Sequence, residues 1–218
     1  VTSTMLGKGP SMHDGLLEAR CEIVAYLDGD LAGLRPGIVS DLCGPLLRGD
    51  ADFVKARFGR GGGRVTELTA KPMLKVFFPE LAGFGQPLGG IIAARRSLLQ
   101  QLNFEDGYGV DIGLLVDAHR AGARLAEVDI GSLEHYSQPL RDLTVMANEV
   151  SRVIYSRARD AGRLAERGEI DHAVAHAGTL GEAAPALVQH AEAVGVVEVQ
   201  PGVIAFGEIE QRIDRRRV

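Results

Sequence analysis

Apolar runs of strand length alternate with stretches of helical spacing along most of this chain, and that alternation restricts it to α/β layer architectures. Residues 22–27 (Glu-Ile-Val-Ala-Tyr-Leu) are rich in β-branched and aromatic side chains and read as a buried strand. Residues 52–58, 91–94 and 125–130 read as three more. Helical spacing marks 11–20, 36–47, 66–81 despite Pro72, and 111–121, where Ile112, Leu115, Val116 and His119 fall near one face. Leu140, Leu143, Ala147, Val150 and Ile154 form an apolar stripe on a longer helix, which fits either the core or a second subunit. Residues 7–10 and 59–64 read as glycine-rich loops, and 86–90 as a turn.

The character changes near Gly168. We therefore expect a core over 1–167 and an appendage over 168–218, with an alanine-rich helix at 182–193 and a strand pair at 196–199 and 203–206. A length of 218 residues allows one sizeable core. The formal charge of −5 disfavours nucleic-acid binding through a broad basic face, yet permits a local basic pocket for a small anion. No run of about 18 apolar residues is present, so a membrane span is not expected. Cys21 and Cys43 lack metal-type spacing and read as reduced thiols, which predicts a cytoplasmic setting. Val1 is not an initiator residue and motif-bearing sequence follows at once, so an amino-terminal portion is expected to be missing.

Asp28 and Asp30 end the first apolar run. Side chains two apart on an extended chain point to the same side, so both carboxylates can converge on one cation, with Gly29 leaving room between them. Hard oxygen donors suit Mg²⁺ or Mn²⁺, ions that hold substrate phosphates beside one or two carboxylates. Such chemistry belongs to nucleotide-sugar glycosyltransferases. Paired acids are also ordinary turn and helix-cap residues, and the pair alone leaves that alternative open.

Further motifs narrow the choice: Gly7-Lys8-Gly9, then Gly61-Gly62-Gly63-Arg64-Val65-Thr66-Glu67-Leu68, then Gln86-Pro87-Leu88-Gly89-Gly90. Gly107-Tyr108-Gly109-Val110-Asp111 and Glu134-His135 complete the set. In order and spacing these segments, with Asp28-Gly29-Asp30, resemble the glucosyl-3-phosphoglycerate synthase family over residues 7–159. The resemblance implies a partial glycosyltransferase-A type (Rossmann-like) mixed sheet flanked by helices, a nucleotide-sugar donor, a divalent metal and a homodimer. It also implies transfer of glucose from UDP-glucose to 3-phosphoglycerate with retention of anomeric configuration.

By the same resemblance His135 joins Asp28 and Asp30 as the third metal ligand, and Lys8 stands near the donor's phosphates. Gly63, Arg64 and Thr66 would receive the phosphate and carboxylate ends of the acceptor. The Leu88 backbone would face the reaction centre. Asp111 occupies the place of a glutamate that contacts the transferred sugar; it can also be read as an acid favoured by a helix dipole. Two departures bear on the acceptor: Leu133 and Ser137 stand where the family carries an arginine and an asparagine. Two other readings therefore remain: transfer to another acceptor such as glycerate, and a non-catalytic module that binds nucleotide sugar or serves assembly.

Overall fold

The computed structural model describes residues 7–29, 31, 35–59, 62–131, 133, 140–164 and 194–199. Its centre is a five-stranded mixed sheet built from β1 (Ile23–Asp28), β2 (Phe53–Arg57), β3 (Ile92–Arg95), β4 (Leu125–Asp129) and β5 (Val194–Val199), in the order β4-β2-β3-β1-β5. β3 lies antiparallel between β1 and β2, whereas β2 and β4 are parallel. The helices are α1 (Lys8–Glu18), α2 (Ile38–Leu47), α3 (Lys71–Phe77), α4 (Arg96–Leu99), α5 (Val110–Arg120) and α6 (Leu140–Asp160).

Strand alternation sorts the core into two layers. Val24, Tyr26, Phe53, Ile92 and Ala94 face α1, α3, α5 and α6. Ile23, Ala25, Leu27, Val54, Ala56 and Ala93 face α2. Both faces are covered, which is why the strands read as nearly continuous apolar runs. The expected α/β mixed sheet is therefore present.

Several boundaries shift for identifiable reasons. Lys8 belongs to α1 rather than to a preceding loop, because Pro10 sits in the first turn, where its missing N–H is harmless. The expected single helix at 66–81 is a π-helical turn (Thr66–Ala70), α3 and a 3₁₀ turn (Pro79–Leu81). Pro72 marks the join, at the start of α3. α5 is buried nearly all round, with Val110, Ile112, Leu114, Leu115, Val116 and Ala118 all inaccessible, because it lies between the sheet and α6. The apolar stripe of α6 packs on this core through Val150 and Ile154, with Leu143 and Ala147 against its margin.

In the last segment, Val194–Val199 runs antiparallel along β1, from Asp28↔Val194 to Ile23↔Val199. The helix expected at 182–193 and the strand expected at 203–206 lie outside the described residues.

Two contacts seat α6 beside the loop that leads into α5. The Arg157 guanidinium donates to Glu105 Oε1 at 2.6 Å and to Asp117 Oδ2 at 2.8 Å. Glu149 Oε2 accepts the Tyr108 backbone N–H at 2.6 Å. A Cβ at Gly107 would stand 2.3 Å from that carboxylate, and one at Gly109 2.5 Å from Val153 Cγ2. The two glycines thus let the loop lie against α6 and fix where Asp111 begins its helix.

Candidate functional site

The carboxyl end of β1 and the start of α5 meet at Lys8. Its Nζ lies 2.8 Å from Asp28 Oδ1 and 2.9 Å from Asp111 Oδ2. The three side chains are 11 %, 17 % and 6 % exposed, so the cluster is enclosed rather than solvated. Burial alone would lower the Lys8 pKa, but Asp111 and then Asp28 outweigh it and hold the ammonium above its ordinary range.

Local sequence explains how Lys8 arrives there. Gly7 has φ of 132°, and a Cβ there would lie 2.5 Å from the Asp106 carbonyl oxygen. At Gly9 a Cβ would lie 1.7 Å from the Glu105 carbonyl oxygen. Glycines on both sides of Lys8 therefore let the helix start press onto the 105–106 backbone. The Tyr26 hydroxyl donates to the Met12 carbonyl at 3.1 Å and ties α1 to β1.

The turn at 86–90 closes the cluster. β1–β3 register pairs Tyr26 with Ile92, and continuing it by two residues sets Asp28 opposite Gly90. A Cβ at Gly90 would fall 2.1 Å from Asp28 Oδ1 and 2.4 Å from Lys8 Nζ. Only a glycine admits this approach. Glu127 Oε1 accepts the backbone N–H groups of Gly85 and Gln86 at 2.7 and 3.1 Å, and Gln86 Nε2 donates to the Phe58 carbonyl at 3.2 Å. Leu88 packs partly buried against the core.

One oxygen of the cluster is unsatisfied. Asp111 Oδ1 is buried without a hydrogen-bond partner among the described residues. A buried acceptor left bare is costly, so it is a natural place for a ligand hydroxyl or N–H. The carboxylate does more than favour a helix dipole, since its other oxygen binds Lys8.

The remaining expected residues divide into two groups. Asp30, His135 and Ser137 lie outside the described residues, as do Gly61 and Glu134. Among the described residues no group of three or more His, Cys, Asp or Glu side chains could hold a metal ion. Gly63 and Arg64 are exposed just before the π-helical turn, and Thr66 is buried within it. The glycine run does not leave all its amides open. Gly62 N–H donates to Glu67 Oε1 at 2.9 Å, and that carboxylate also meets Lys71 Nζ at 2.6 Å. Leu133, in the place of the expected arginine, packs against the α2-side core.

Lys55 belongs to none of the motifs in the sequence, yet it is fully buried in β2. Its signal was available: a lysine two residues after Phe53 shares that residue's core-facing side of the strand. Cys43 is buried and Cys21 partly so.

No family model matches the chain. Curated relatives do. Glucosyl-3-phosphoglycerate synthase of Mycolicibacterium paratuberculosis is 42 % identical over 168 residues, covering 69 % of this chain and 51 % of the relative. The enzyme of that name from Petrotoga mobilis is 38 % identical over 172 residues, covering 72 % and 53 %. Among solved structures, glucosyl-3-phosphoglycerate synthase from Mycobacterium tuberculosis with Mn²⁺, UDP-glucose and phosphoglyceric acid superposes with a TM-score of 0.67 at 41 % identity, covering 72 % of this chain and 56 % of that one. The same enzyme with glycerol 3-phosphate as the third ligand gives a TM-score of 0.67 at 40 % identity over 72 % of this chain and 57 % of that one. The chain spans about half the length of the curated relatives it matches.

Proposed function

We infer that this chain, a homologue of the glucosyl-3-phosphoglycerate synthases over about 70 % of its length, belongs to a metal-dependent retaining glucosyltransferase. In this reading it moves glucose from UDP-glucose to the hydroxyl of 3-phosphoglycerate, in the cytoplasm and as a homodimer. The observation that carries the reading is the enclosed Lys8–Asp28–Asp111 cluster, roofed by Gly90, with a bare buried carboxylate oxygen.

The donor types in the expected ligand set suit a hard divalent ion. Asp28 brings a carboxylate oxygen to a strand end beside a backbone cradle that a Cβ would fill. Asp28, Asp30 and His135 would hold Mn²⁺ or Mg²⁺, which when bound supplies positive charge beside the departing diphosphate. Lys8 adds a fixed cation at the same place and needs no reorganisation as charge develops there. Asp111 Oδ1 accepts a hydroxyl hydrogen bond from the transferred sugar. The backbone of Leu88, Gly89 and Gly90 forms the wall against which that sugar is oriented. Gly63, Arg64, Thr66 and Ser137 orient the anionic acceptor.

The test is to supply the protein with Mn²⁺, UDP-glucose and 3-phosphoglycerate and to follow glucosyl-3-phosphoglycerate by mass spectrometry. The anomeric coupling of the product by NMR reads retention. Chelation with EDTA should stop product formation, and Asp30→Ala should abolish it. Product formed equally well by Asp30→Ala would remove the ligand role from that residue, and no product from the parent protein would end the transferase reading.

A second acceptor is favoured by one observation. Leu133 packs into the α2-side core, so that position offers no guanidinium to a phosphate. Unphosphorylated glycerate is the alternative. Side-by-side rates with glycerate and 3-phosphoglycerate decide between them.

A further inference from the structure

We propose that Lys55 is a positioning residue for the transfer reaction: its ammonium clamps the Gly89 carbonyl and so holds the Leu88–Gly89–Gly90 wall at the height the Lys8–Asp28–Asp111 cluster requires. The inference rests on the transferase reading and extends it to a residue that reading does not use.

Lys55 stands in the middle of β2, opposite Ile92 of β3 and opposite Glu127 of β4. It is 0 % exposed. Its Nζ donates to the Gly89 carbonyl oxygen at 2.7 Å. The same turn is held from the other side by Glu127, whose carboxylate takes the Gly85 and Gln86 N–H groups. Two neighbouring strands therefore grip one turn at both its ends, by a cation on a carbonyl and an anion on two amides. Gly90 next to the clamp is the residue whose Cα approaches Asp28 and Lys8 too closely for any side chain. Movement of Gly89 by a fraction of an ångström would thus be passed straight into the cluster.

The choice of residue type points the same way. Phe53, two positions earlier on that face, is apolar, and a methionine would fill the volume of Lys55 without the large penalty of taking an ammonium out of water. What a methionine lacks is the donor for the Gly89 carbonyl, and that donor is what fixes the turn.

Lys55→Met and Lys55→Gln separate these roles. For Lys55→Met the thermal midpoint should stay within about 5 °C of the parent's, the relieved desolvation of the ammonium offsetting the bared Gly89 carbonyl. Its kcat for glucosyl transfer should fall by about tenfold or more, a larger factor than any rise in KM for UDP-glucose, the signature of an interaction that matters more in the transition state than in the bound ground state. Hydrogen exchange read by mass spectrometry should show amides of 86–92 opening about tenfold faster or more, with α2 and α6 unchanged. An unchanged kcat in a folded variant overturns the proposal. So does unchanged exchange at 86–92, or exchange accelerated across the whole sheet with a lowered midpoint, or failure of both variants to fold. Should the parent protein yield no product, the transferase reading falls, and exchange at 86–92 alone decides whether Lys55 holds the turn.

Discussion

Lys8 Nζ and Asp111 Oδ2 lie 2.9 Å apart although 103 positions of sequence separate them. The ion pair joins the first helix to the fifth and leaves both side chains nearly enclosed. Attraction between buried charges is strong, and so is the penalty for leaving one of them alone.

Removing Lys8 should therefore do more than delete a contact. Lys8→Met strands two buried carboxylates and should destabilise the fold by about 3–5 kcal/mol. Adding Asp28→Asn and Asp111→Asn to that variant should recover most of the loss, since no charge then remains to be stranded. Urea unfolding monitored by circular dichroism checks both. A triple variant no more stable than the single one would show that the cluster is not held by charge balance.

Gly90 and Gly89 offer a paired comparison. A Cβ at Gly90 meets Asp28 Oδ1 at 2.1 Å, whereas at Gly89 its nearest neighbour is the Gln86 carbonyl oxygen at 3.4 Å. Gly90→Ala should cost about 1–3 kcal/mol and displace the Asp28–Lys8 pair. On the transferase reading, calorimetric titration with UDP and Mn²⁺ should then show affinity reduced by about tenfold, a loss corresponding to one such misplaced contact. Gly89→Ala should change either quantity much less. Equal effects at the two positions would contradict this packing.

The two buried lysines predict opposite pH behaviour. Burial pushes the Lys55 ammonium down from 10.5 to about 8. The unfolded chain keeps that proton up to about pH 10.5 while the native protein loses it from about pH 8, so in this window the unfolded state binds more protons and stability rises with pH. Lys8, whose pKa is raised, contributes fully below 10.5 and loses its contribution only as pH rises through its higher native value. The Lys8 effect therefore stays clear of the Lys55 window. The stability of the parent protein relative to Lys55→Met should rise by on the order of 3 kcal/mol between these limits. Chemical denaturation of both proteins at pH 7.5, 9 and 10, values about the window of that linkage, provides the measurement. A flat difference would rule out titration of Lys55.

Arg157 should prove a structural residue. It is 8 % exposed and binds Glu105 and Asp117 at once, which locks α6 onto α5 and its preceding loop. Arg157→Ala leaves both acids facing a cavity and should lower stability by about 3 kcal/mol. Thermal unfolding checks it. Arg48→Ala is the control, because its pair with Asp50 is exposed on both sides and such pairs contribute little.

The order of strands and helices was legible in the chain because burial on both faces leaves continuous apolar runs, as at Val24, Ala25 and Tyr26. Lys8, Asp28 and Asp111 were each marked as site residues from sequence, through the motifs around them. Their convergence was not legible, because it depends on Gly7 and Gly9 fitting the 105–106 backbone and on the β1–β3 register. Glu67 turning back onto Gly62 N–H was equally hidden, since a glycine run reads as open amides until a side chain is seen to take one.

Sequence by itself determined the periodicities, the glycines and the charges, since these are local properties carried by neighbouring residues. Tertiary structure alone decided which charges meet. A lysine in β2 looks like any strand lysine until the packed sheet removes water from it and leaves a carbonyl 34 residues away as its hydrogen-bond acceptor. Desolvation is a property of the assembled core, and so is the chemistry that desolvation makes possible.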